Sequence, residues 1–147
     1  SFRVVESFDS YSRIWRPLPI LPSQCHRSSL AVFGRFLYSF GGWDPHTFSS
    51  TSIVTRLSLL EGDTWQDRSP MPVSKIDKGL LIYNQKFYLF GGHINTQVEG
   101  IYPVTNSVEC YSPSSDTWHI MPPMLQPRQD PRVVVAIGNK FYIIEWN

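Results

Sequence analysis

LAVFGRFLYSFGG, residues Leu30 to Gly42, and LLIYNQKFYLFGG, residues Leu80 to Gly92, are two copies of one pattern set 50 positions apart. Each is an apolar run, a two-residue turn, a second apolar run and a glycine pair. The turns fall at Gly34-Arg35 and Asn84-Gln85. Gly and Asn tolerate positive φ, so each copy reads as a β-hairpin. Runs nearly continuous in hydrophobicity predict strands covered on both faces. A third copy, VVVAIGNKFYIIEW, spans Val133 to Trp146 and turns at Gly138-Asn139. It carries Glu145-Trp146 where the glycine pair would stand.

Working outward, Trp15, Trp65 and Trp118 are separated by 50 and 53 positions. From Trp15 to Gly41, and from Trp65 to Gly91, is 26 positions in both cases. Independent spacings that agree identify an internal repeat. A second strand pair lies between each glycine pair and the next Trp. In SVECYSPSSDTW (Ser107 to Trp118) it reads as a strand, a Pro-Ser-Ser-Asp turn and a strand carrying Trp. VESFDSYSRIW (Val5 to Trp15) keeps that spacing, and VTRLSLLEGDTW (Val54 to Trp65) is one residue longer in its turn. Proline-rich exits follow each Trp: RPLPILP, QDRSPMP and HIMPPMLQP. Each period therefore holds four short antiparallel strands, and no stretch of helical length shows a 3.6-residue period.

Four strands per repeat is the blade of a β-propeller. The glycine pair, Val108-Glu109-x-Tyr111 and the later Trp118 resemble the kelch repeat, over almost the whole chain. The middle repeat departs from that pattern, with Thr55 and Leu57 where the family usually has Glu and Tyr. The expected fold is all-β: a kelch-type β-propeller segment of four-stranded antiparallel blades, about three blade equivalents in all. With strands lettered A to D from the centre outward, residues 1–26 supply C and D of a first blade. Residues 27–76 and 77–130 are full blades, and 131–147 supply A and B of a last one. Gly41, Gly42, Gly91 and Gly92 are expected to permit a bend and close backbone approach after strand B. Trp15, Trp65 and Trp118 are expected as wedges buried between adjacent blades, with Glu109 and Tyr111 completing the structural set. Propellers hold roughly four to eight blades. Two expectations follow: a piece of a longer chain, or a homodimer in which each C–D half completes the other's A–B half into a six-bladed ring.

The 147 residues suit one modest domain. Lys plus Arg is 13 and Asp plus Glu is 12, a net charge of +1 that argues against a general nucleic-acid binder. Apolar residues at 41% and charged residues at 17% argue against disorder. The longest apolar runs are too short for a membrane-crossing helix. Cys25 and Cys110, with no CxxC and no Asn-x-Ser/Thr sequon, fit reduced thiols in a reducing compartment, the cytoplasm or nucleus.

Neither a Gly-x-Ser-x-Gly elbow nor a phosphate-cradling glycine loop occurs, so no catalytic residue and no cofactor is assigned. His26, His46, His93 and His119 lack local metal spacing, and no metal ligand is assigned, although loops could gather the first three. Cys110 and Tyr111 are strand neighbours pointing to opposite faces, which argues against the cross-linked Tyr–Cys site of kelch-like copper oxidases. In this strand order the B–C and D–A loops share one face. The B–C loops are WDPHTFSST (Trp43 to Thr51) and HINTQVEGIYPVTN (His93 to Asn106). The candidate partner-binding residues on this face are Arg27, Trp43, His46, Phe48, Lys78, His93, Tyr102, Arg128 and Arg132. Aromatic and Arg anchors typify interface hot spots, and Arg can grip a carboxylate bidentately, which points to an acidic peptide. The competing reading is that Trp43 packs on its own blade and the basic groups are solvated. Arg27 resembles a recurrent basic position before strand A in kelch blades. Asp77 holds that position in the next blade, and Arg132 lies one residue beyond it in the last.

The resemblance implies a protein-interaction module. One setting is the substrate-recognition part of a cullin-RING ubiquitin ligase adaptor, whose BTB domain would lie outside this stretch. Another is actin or cytoskeletal binding. A propeller oxidase or hydrolase is the alternative from a different class.

Overall fold

The computed structural model describes residues 4–95, 100–131 and 133–144. Arg132, Glu145 and Trp146 lie outside the described residues. The chain opens with a hairpin of β1 (Val5–Asp9) and β2 (Ile14–Leu18). Next come β3 (Ser29–Phe33), β4 (Phe36–Asp44), β5 (Ser49–Ser58) and β6 (Trp65–Arg68), an antiparallel sheet in sequence order. A two-residue strand, β7 (Lys75–Ile76), leads into β8 (Gly79–Tyr83) and β9 (Lys86–Phe90). After β10 (His93–Ile94) come β11 (Val108–Ser112) and β12 (Thr117–Met121). The second four-stranded sheet has the order β8-β9-β11-β12, and β10 pairs instead with β7. The chain ends in a hairpin of β13 (Val133–Ile137) and β14 (Lys140–Ile144), with β13 lying against β8. Two full blades thus stand between two half-blades, and no α-helix occurs among the described residues.

Local chemistry accounts for the hairpins. Gly34, Asn84 and Gly138 take φ of 60°, 48° and 61° at the A–B turns, where these residues are least strained. Gly42 has φ of 134°, and a Cβ there would sit 2.8 Å from the Cys25 backbone. Only glycine lets the linker pack so closely on the end of β4, where the ladder is irregular between Phe40 and Gly42.

The core lies between the two full blades. Tyr38, Phe40 and Val54 of one meet Phe87, Leu89 and Tyr111 of the other, with Met71 from the linker between them. The Phe40 and Phe87 rings are 4.9 Å apart, and each fully buried side chain of this size is worth about 1.5–3 kcal/mol. Trp65 and Trp118 are half-buried wedges. Trp65 Nε1 donates to Pro19 O at 3.0 Å and Trp118 Nε1 to Ser69 O at 2.9 Å, each bonding to the exit of the preceding repeat. Trp15 departs from the expected burial: it is 62% exposed and leans on Phe8, ring centroids 5.0 Å apart. Its hairpin has no preceding blade against it among the described residues.

The first B–C connection is shorter than the sequence suggests. The β4–β5 ladder runs on through Trp43↔Ser50 and Asp44↔Ser49, leaving only a tight turn at 45–48. Ser and Thr on β5 fit a half-buried ladder, and an Asp44 Oδ1 bond from His46 N at 2.9 Å closes the turn.

Candidate functional site

A cavity of about 430 Å³ opens where the two full blades adjoin. His26 and Arg27 reach it from one D–A linker, and Ile76 and Asp77 from the next. Trp43 enters from the extended end of β4, and His93 and Tyr102 from the long second B–C loop. Backbone pairing sets these positions. Trp43 N donates to His26 O at 2.5 Å, and His93 pairs with Ile76 in the β7–β10 ladder. Ile94 N donates to Pro103 O at 3.0 Å, and His93 Nδ1 lies 3.1 Å from Tyr102 O, so the loop folds back on itself. The Trp43 and Tyr102 rings meet edge-on, 5.7 Å apart and 69° from coplanar.

Arg27 and Asp77 take matching left-handed conformations, φ 58° and 52°, in successive linkers. Their side chains form an ion pair between the two linkers. Arg27 is 52% exposed at its side chain, so the pair contributes at most about 1 kcal/mol. Its consequence is chemical. The guanidinium is already partnered, and an acidic ligand must displace the Asp77 carboxylate to reach it. Asp130, at φ 46°, repeats the left-handed turn in the third linker and donates its N–H to Asp77 O at 2.9 Å. The left-handed residues of the three successive linkers are thus basic, acidic and acidic.

Of the nine candidate partner-binding residues, Arg27, Trp43, His93 and Tyr102 line this cavity. His46 and Phe48 sit on the exposed β4–β5 turn, and Phe48 is 73% exposed; neither lines the cavity. Arg128 is half-buried, its carbonyl accepting from Gly92 N at 2.8 Å and its N–H donating to Thr105 O at 3.2 Å. Arg132 is outside the described residues. Lys78 requires correction. Far from offering a surface charge, it is buried, and its Nζ donates to Phe40 O at 2.8 Å and Lys75 O at 3.3 Å. Burial, reinforced by neighbouring Lys75, lowers its pKa to about 7. The tight packing of the linker on β4 draws this lysine between the blades.

Lys75 is equally hidden, ion-paired with Glu109 and donating to Ser107 Oγ at 3.2 Å. Its burial outweighs the pull of Glu109 and lowers its pKa. A second joint lies at the outer turn. Asp116 Oδ1 accepts from Tyr111 OH at 2.6 Å and from Ser69 N at 2.9 Å, beside Arg68. Burial raises the Asp116 pKa, but these donors outweigh it and hold the carboxyl below its ordinary value. Turn formation, the role expected for Asp116, is thus only part of what it does. Of the cavity walls, Ile76 and the partnering of Asp77 with Arg27 escape a reading of single loops. The 50-residue interval between opposite charges was the available signal. Among the described residues no group of three His, Cys, Asp or Glu side chains is placed to hold a metal ion. His26 and His93 share the cavity while His46 stays outside it.

Repeated four-stranded antiparallel blades in succession define a β-propeller segment. Residues 77–125 match the kelch motif. The chain is 27% identical over 140 residues to kelch-like protein terF of Aspergillus terreus, covering 88% of this chain and 30% of that protein. It is 30% identical over 83 residues to human kelch-like protein 28, covering 55% and 14%. Beta-scruin of Limulus polyphemus is 27% identical over 108 residues, covering 73% and 12%. The chain therefore spans less than a third of the length of these curated relatives. The solved structure of YjhT shares the fold, with a TM-score of 0.67, 19% identity, and coverage of 86% of this chain and 35% of that one.

Proposed function

We propose that this chain binds a partner protein or peptide through its B–C and D–A loop face, with the Arg27–Trp43–Tyr102 cavity receiving the partner's anchoring side chain. One observation carries the reading: loops from two adjacent blades converge on a single cavity with aromatic walls and an ion pair within it. Rigid strands hold these loops, which is how loop faces acquire specificity. The setting we propose is the substrate-holding part of a cullin-RING ubiquitin ligase adaptor. The likeness of VESFD and VECYS to BTB-kelch repeats supports that setting.

Selection from a random peptide display library tests the binding claim. Selected peptides should lose at least tenfold in affinity with Trp43→Ala or Arg27→Glu, about 1.4 kcal/mol each. They should keep it with Ile120→Ser, a surface change on β12. Binders insensitive to both cavity variants would place the site elsewhere.

A further inference from the structure

At the end of the blades opposite the loop cavity, the turns of the first full blade enclose a second cavity of about 340 Å³. The β3–β4 turn brings Arg35 to it, β4 brings Phe36 and β5 brings Arg56. The β5–β6 turn adds Leu60, Glu61 and Asp63. Backbone bonds fix the two turns against each other. Leu59 N donates to Arg35 O at 2.8 Å, and Ser58 Oγ accepts from Glu61 N at 3.3 Å. The set is particular to this blade. The second full blade has Lys86 and Cys110 at the places of Phe36 and Arg56, and its outer turn is one residue shorter.

Arg56 is the fixed point of this wall. It is half-buried, with Cζ 3.9 Å over the Phe36 ring, a stacked arrangement that the ring quadrupole favours. Its Nε donates to Gln66 Oε1 at 3.4 Å and its Nη1 to Tyr38 OH at 3.3 Å. Both acceptors are neutral. A guanidinium has five N–H bonds, so three are left for another acceptor. Arg68, on the next strand of the same blade, meets the Asp116 carboxylate. Among the described residues neither Arg56 nor Arg35 enters an ion pair. Glu61 and Asp63 border the same space and enter none either. Charges drawn out of water ordinarily find a counter-charge. Here two cations and two anions face one cavity without reaching each other.

That arrangement selects a class of ligand. A simple anion seated at Arg56 would also face Glu61 and Asp63, and a simple cation would face two guanidiniums. A molecule that carries both charges, set apart, satisfies all four. Phe36 and Leu60, the latter 70% exposed, supply apolar surface for the span between them. We propose that this cavity binds a small ω-amino carboxylate, a zwitterion whose carboxylate and ammonium are joined by a methylene chain. The carboxylate accepts from the unspent N–H bonds of Arg56, with Arg35 beside it, in the charge-assisted fork that suits arginine. The ammonium meets Glu61 and Asp63, and the chain lies along Phe36 and Leu60. The site goes beyond the loop face and holds whatever partner that face receives.

Titration of the isotope-labelled chain at low salt, followed at the arginine Nε–H signals, tests this with 6-aminohexanoate, hexanoate and hexylamine as probes. The signals of Arg35 and Arg56 should move and saturate with 6-aminohexanoate. Half-saturation should come at a concentration about fivefold or more below that of either single-charge probe, the size of one exposed ion pair. Glu61→Gln with Asp63→Asn changes two exposed turn residues and should bring 6-aminohexanoate to the level of hexanoate. Arg56→Gln should weaken binding of 6-aminohexanoate by about tenfold or more. Should that variant fail to fold, Arg35→Gln on the exposed turn serves in its place and should weaken binding about threefold or more. Shifts that do not saturate, an equal response to the three probes, or a preference that survives the Glu61 and Asp63 changes would overturn the proposal. Shifts at His93 and Tyr102 in place of the arginines of this cavity would overturn it as well.

Discussion

Lys78 places a neutral amine where a charged one is costly. A neutral amine has two N–H bonds, and Nζ has two backbone acceptors, Phe40 O and Lys75 O. The third proton of the ammonium form would lie in a buried joint beside a second lysine. The folded pKa, about 7, lies below the ordinary 10.5. Between those values the unfolded chain binds more protons than the folded one, so stability rises with pH from about 7 upward. Lys75, also shifted down, adds in the same direction. Buried Cys25, Cys110 and Tyr111, all pushed up, oppose the rise only near and above about pH 8.5. Urea unfolding should therefore show stability increasing from about pH 6.5 to 8.5, with a slope of at most about 1.4 kcal/mol per pH unit for one lysine. Lys78→Met should flatten the curve; an unchanged slope would mean that Lys78 is not the titrating group. Nothing in the sequence around Lys78 announces burial, because lysines are usually exposed and the joint that hides this one is made by residues 38 positions away. Arg27 and Asp77 were legible as a charge alternation, but their pairing needed the two linkers side by side.

At the scale of elements, the tryptophan of strand D acts through the repeat before it. Trp118 packs on Tyr111 at 4.9 Å and bonds to Ser69 O, beside the Asp116 joint to Ser69 and Arg68. Trp118→Ala should cost about 3 kcal/mol, near the low end for a large-to-small change because the ring is only half-buried. A melting temperature equal to the parent's would contradict that role. The hairpins were readable because their apolar runs and turn residues are local signals. The β7–β10 pair was not, because two residues carry no periodicity and their pairing depends on a linker meeting a loop. The β4–β5 extension was hidden by Pro45 and Asp44, which read as loop, whereas they form only its tight end.

At the scale of the molecule, the 50- and 53-residue intervals announce blades, and the blades bring distant loops to one face. The cavity itself has no signature in any one loop. It exists because Trp43 and Tyr102 belong to neighbouring blades and His26 and Ile76 to successive linkers. The central claim is that this face receives the partner. Its most direct test is amide chemical-shift mapping of the isotope-labelled chain titrated with a display-selected peptide. The account predicts that the shifts cluster at Arg27, Trp43, Asp77, His93 and Tyr102. Shifts centred on the opposite turns, at Gly34, Asn84 and Asp116, would contradict it.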